Sequence, residues 1–156
     1  MDEAQFKEKL VLFFERKPIC VEAAKPLKDS ISVELRNAAS GVGYTLTKAG
    51  ERLRVSDGAP AEREMVFTIT EAALVHVADF DTDDIGTYGI RVFETMIWPE
   101  ASRRMRIALK AGPIKLGFKG YFGVLMLGGK TIWKWLSLHG LGSLGKVKDA
   151  IKKLMG

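Results

Sequence analysis

Apolar positions recur at helical spacing through the first sixteen residues. Phe6, Leu10, Phe13 and Phe14 put a narrow stripe on a helix spanning 3–16, which Pro18 ends. The next segment, KDSISVELRNAASG, supports two readings. Ile31, Val33 and Leu35 alternate as in a strand, while Asp29 or Ser30 before them and Gly41 after them have the chemistry of helix caps. From 42 the period is two. VGYTLTKAGERLRVSDG predicts a hairpin turning at AGE, and REMVFTIT predicts a third strand with Met65, Phe67 and Ile69 on one face. Thr70 is placed to cap a short helix, EAALVHVAD, with Glu71 at its positive end, and DFDTDDIGTYG reads as a polar loop.

Pro99 at the start, with Gly112 and Pro113 at the end, predicts that WPEASRRMRIALKAGP is a helix with Ala101, Met105, Ala108 and Leu109 on its apolar face. IKLGF reads as a strand, and 120–138 as a helix with glycine weak points. A terminal amphipathic helix over 143–156 sets Leu144, Val147, Ile151 and Leu154 opposite Lys146, Lys148, Lys152 and Lys153. The longest uncharged piece of the apolar stretch 114–136, Gly120 to Gly129, lies between Lys119 and Lys130, about half of the roughly 20 residues a helix needs to cross a bilayer.

With 156 residues, 47% of them hydrophobic and 28% charged, the chain has enough apolar material for one substantial core. Cys20 is the lone cysteine, which excludes an intrachain disulfide and fits a reducing compartment. MDEAQFKEKLVLFFE begins with acids and has too short an apolar run for a secretory signal, so a cytoplasmic location is expected. The net charge of +5 concentrates in RRMRIALK and KVKDAIKK, on helical patterns without zinc-finger or RNA-binding spacing. Nucleic acid is therefore not an expected partner, whereas an anionic membrane surface is a transient one.

Catalytic chemistry has little to stand on. His76 and His139 fall on different predicted elements. Asp79, Asp81 and Asp83 have the alternation of a calcium loop, but position six is Asp84 where glycine is required and position twelve is Ile90 where a bidentate glutamate is required. GGKT at 128–131 resembles the end of a phosphate-binding loop, yet Val124 occupies the first glycine position. Cys20 lies in an undistinguished linker, and Ser143 lacks the glycine two residues before it that a nucleophile elbow needs. Neither an active site, a metal site nor a cofactor is expected.

Large, soft apolar side chains gather instead between 90 and 136: Phe93, Met96, Ile97, Trp98, Met105, Leu116, Phe118, Phe122, Leu125, Met126, Trp133 and Trp135. Such a set can fill a core or line an adaptable pocket.

The hairpin GYTLTKAGERLRVSDG, the strand-helix unit MVFTITEAALVHVAD and the stretch IKLGFKGYFGVLMLGG together resemble the sterol carrier protein type 2 family over about two thirds of the chain. The resemblance implies an α+β fold, a five-stranded, mainly antiparallel sheet covered by helices on one side around an apolar tunnel for acyl chains, sterols or isoprenoids. It tilts 29–39 towards helix. One domain over 1–156 is then expected, with helices in 1–40, the sheet and its covering helices in 41–138, and the terminal helix in 143–156. The expected function is non-enzymatic binding and carriage of an apolar lipid by a monomer or homodimer. Phe93, Met96, Trp98, Met105, Leu116, Phe118, Phe122, Leu125, Met126 and Trp133 would line the tunnel, and Leu144, Val147, Ile151 and Leu154 would form its lid. An accessory module that binds a partner enzyme or itself through an apolar surface is the alternative. Two departures from the family matter: 79–111 is longer than its usual connection, and KLMG is not a peroxisomal tail signal.

Overall fold

Five strands carry the alternating pattern in the computed structural model, which describes residues 1–139 and Asp149. They are β1 (Val33–Asn37), β2 (Gly43–Ala49), β3 (Arg52–Asp57), β4 (Met65–Ile69) and β5 (Arg106–Leu109). The sheet order is β3-β2-β1-β4-β5, with β1 parallel to β4 and the other neighbouring pairs antiparallel. Register aligns Leu46, Val33, Met65 and Leu109 in one row and Tyr44, Leu35, Phe67 and Ile107 in the next on the same face. Those rows belong to the main core or pack against it. The opposite face carries Thr45, Glu34, Val66 and Ala108, because successive side chains alternate.

Helices pack on the apolar face. Asp2 caps α1 (Glu3–Val11) in a reciprocal box with Gln5, and the helix continues as a π-turn over Leu12–Arg16. Phe6, Leu10 and Phe13 join the core, and Pro18 opens α2 (Pro18–Ala23). Thr70 caps α3 (Glu71–Ala78) by accepting from the Ala73 N–H, which brings Ala73, Leu74 and Val77 onto the sheet. Then follow α4 (Ile85–Ile97), α5 (Pro113–Phe118), α6 (Tyr121–Met126) and α7 (Gly129–Leu138). The α+β class, the hairpin and the one-sided helical cover agree with expectation.

Five local expectations are corrected. Residues 33–37 form the central strand rather than a helix, with Ile31, Val33 and Leu35 all at most 2% exposed. IGTYG opens α4 rather than lying in a loop: Asp84 caps it by accepting from the Thr87 N–H at 3.0 Å. The helix expected over 99–111 is a short 3₁₀ turn followed by β5, because Met105, Ile107 and Leu109 alternate inward. IKLGF lies in α5 rather than a strand, with Pro113 at its first turn and Leu116 alone of its residues buried. The segment expected as one helix over 120–138 is two helices, α6 and α7. The terminal helix and its lid residues fall outside the described residues, apart from Asp149.

Candidate functional site

The glycines of α4 position the seam that follows. A Cβ on Gly86 would lie 2.8 Å from the Gly128 carbonyl oxygen, and one on Gly89 would lie 2.6 Å from Ile132 Cδ1. Their bare backbone therefore lets α7 approach α4 closely. Between these helices and α6 lies a small apolar cluster separate from the main core: Ile132 and Leu136 are buried, with Ile90, Phe93, Leu125, Trp133 and Trp135 half-buried around them. Phe93 also packs against the main core, and its ring stacks on Trp135 at 6.3 Å.

The ten residues expected to line a tunnel divide by position. Met96, Met105 and Leu116 are at most 4% exposed and fill the main core. Phe93, Leu125 and Trp133 meet at the seam. Phe118, Phe122 and Met126 face solvent. Trp98 packs at the edge of the main core, edge-on to His76 at 4.9 Å and under the Arg103 guanidinium. Ile90, Ile132 and Leu136 complete the seam although the sequence reading passed over them. Their signal was the three- and four-residue spacing of Ile90 with Phe93 and of Ile132 with Leu136.

Two surface clefts lie elsewhere. One, of about 560 Å³, runs along α1 and is lined by Gln5, Glu8, Lys9, Leu12 and Arg16, with Met1 and Glu71 at its end. The other, of about 630 Å³, lies over α3 and α4, and Trp98 is the one expected lipid-lining residue that borders it. Its polar groups have partners: His76 meets Glu94 at 3.2 Å, and the Arg91 Nε donates to the His76 carbonyl while its guanidinium lies over Phe80.

The remaining polar candidates have structural roles. Asp79 pairs with Lys9, Asp81 pairs with the buried Lys17 at 2.6 Å, and Asp84 caps α4. Among the described residues, no group of three or more His, Cys, Asp or Glu is placed to hold a metal. Burial pushes the Cys20 thiol up to about 11, which keeps it protonated and unreactive. His139 stacks on Trp135 at 4.1 Å.

The bend between α5 and α6 is clamped from behind. Gly120 has φ +91°, and a Cβ there would fall 1.9 Å from the Pro26 carbonyl oxygen. The Lys28 N–H donates to the Lys119 carbonyl, and Lys119 Nζ donates to both oxygens of Ser30. Tyr121 donates to Glu64 Oε2 at 2.9 Å while Lys119 pairs with Glu64 Oε1 at 3.3 Å.

No family model and no curated protein matches the chain. One solved structure to which it is similar is described as "UbiJ-SCP2 Ubiquinone synthesis protein". The alignment covers 80% of this chain and 93% of that one at 14% identity, with a TM-score of 0.39.

Proposed function

We propose that the protein binds and carries an apolar lipid without chemical transformation, seating it against the seam between α4, α6 and α7. The observation that carries this reading is the satellite cluster: two buried aliphatics ringed by five half-buried side chains, three of them aromatic, outside the close-packed core. Soft, partly covered side chains of this kind can part around an alkyl chain at less cost than a packed interior. The sterol carrier resemblance supports the same ligand class: an acyl chain, a sterol or an isoprenoid.

The energetics suit a carrier. Burying about ten methylenes returns roughly 8 kcal/mol at about 0.8 kcal/mol each. Loss of translational and rotational freedom costs about 4–15 kcal/mol, which offsets much of that gain and keeps binding reversible. The reading also places the protein in the cytoplasm, and among the described residues no helix is long and apolar enough to cross a membrane.

Leu125→Trp tests the seam by filling it. Titration with a fluorescent fatty acid should saturate for the parent chain and weaken at least tenfold for the variant, with the circular dichroism melt retained. Equal uptake by the two would move the site elsewhere.

A second reading, an accessory module that binds a partner protein or a second copy, is favoured by the exposure of Ile114, Phe118, Phe122 and Met126. It predicts no lipid uptake and a change in molecular size on mixing with the partner or on concentration.

A further inference from the structure

We propose that the outer face of α5 and α6 is a docking edge for anionic bilayers. Ile114, Phe118, Phe122 and Met126 follow one another every four residues and are 76%, 78%, 45% and 56% exposed. A Cβ placed on Gly117 would touch the Phe122 ring at 3.3 Å, so the α6 aromatic lies along the α5 backbone and the two helices share this surface. The core makes no use of these side chains. Leu116 points inward from α5, and the Lys119, Gly120 and Tyr121 contacts hold the bend to the body from the other side. The face is thus presented on a fixed support.

Charge selects the partner. Residues 1–100 hold 12 Lys and Arg against 18 Asp and Glu, a net of −6, whereas residues 101–156 hold 12 Lys and Arg against Asp149 alone, a net of +11. No acid interrupts the chain between Glu100 and Asp149, and Arg106, Lys110, Lys115, Lys130 and Lys134 are exposed there. Exposed apolar side chains in an acid-free stretch that also carries exposed lysines match the boundary between acyl chains and anionic headgroups. A second copy fits poorly, because face-to-face pairing would bring two acid-free basic regions together. Bare nucleic acid supplies the phosphate but no apolar layer to receive isoleucine and methionine.

The test is flotation of the full-length protein with vesicles of phosphatidylcholine alone and of phosphatidylcholine mixed with phosphatidylglycerol. The expected result is binding to the mixed vesicles only, falling as salt rises. Phe118→Ser with Phe122→Ser should weaken it by about tenfold or more. Lys115→Glu with Lys130→Glu should weaken it by about fivefold per headgroup-facing lysine. Circular dichroism melts verify that each variant folds. Equal binding to both vesicle types, no binding to either, or binding unchanged in both double variants would overturn the proposal. So would concentration-dependent self-association in sedimentation, abolished by Phe118→Ser with Phe122→Ser. Uptake of a fluorescent fatty acid in vesicle-free solution is scored separately: the lysine variant should keep it, so failure to dock and failure to bind lipid are read independently.

Discussion

Glu64 joins four segments through one side chain and its own backbone. Its carboxylate accepts from the Ser32 N–H at 2.6 Å and from the Tyr121 hydroxyl, pairs with Lys119, and is 4% exposed. Its carbonyl accepts from the Lys110 and Ala111 N–H groups just past β5. Replacing it with alanine leaves the half-buried Tyr121 hydroxyl and the Ser32 amide without this acceptor and removes the carboxylate partner of the Lys119 ammonium. Glu64→Ala should therefore cost about 3 kcal/mol, a fall in Tm of roughly 10 °C by calorimetry. Tyrosine titration adds a pH signature. Burial first, and the Glu64 hydrogen bond second, raise the Tyr121 pKa above its ordinary value of 10.0; burial also raises that of Tyr88, which donates to the Val77 carbonyl. Each native pKa lies above the unfolded one, so this contribution is intact below about pH 10 and declines as pH rises towards the folded value. Urea midpoints should hold to about pH 9 and then fall, with each tyrosine contributing a slope approaching about 1.4 kcal/mol per pH unit. Tyr121→Phe should flatten that slope.

Elements were legible where one period dominated. The hairpin, β4 and α3 follow from two-residue alternation and a threonine cap, and no distant contact has to intervene. Misreadings arose where two signals overlapped. Proline and glycine at the ends of 99–112 outweighed the alternation of Met105, Ile107 and Leu109, and the true strand lies inside that window. Ile114, Leu116 and Phe118 also alternate, but Pro113 starts a helix on which Ile114 and Phe118 share the exposed side and Leu116 points inward. Gly86 and Gly89 looked like loop residues because the reason for them is tertiary: they are where α7 meets α4. The candidate seam was legible as composition but not as location, since only the packing of α7 on α4 separates Phe93, Leu125 and Trp133 from Met96, Met105 and Leu116. Gly89→Leu tests this contact. The added side chain should push α7 off α4, lower stability by about 2 kcal/mol and redshift the emission of Trp133 and Trp135.

At the scale of the molecule, one sheet face with α1 to α4 holds the close-packed core. Helices α6 and α7 add the smaller apolar cluster around Ile132 and Leu136, and α5 and α7 carry the exposed Lys115, Lys130 and Lys134. The proposed lipid binding at the α4–α7 seam is the central claim. The most direct measurement is native mass spectrometry of the purified full-length protein, followed by organic extraction and lipid identification. A discrete added mass that leaves with the solvent and proves to be an acyl, sterol or isoprenoid lipid is the predicted result. A bare chain that also fails to take up a fluorescent fatty acid would contradict the account.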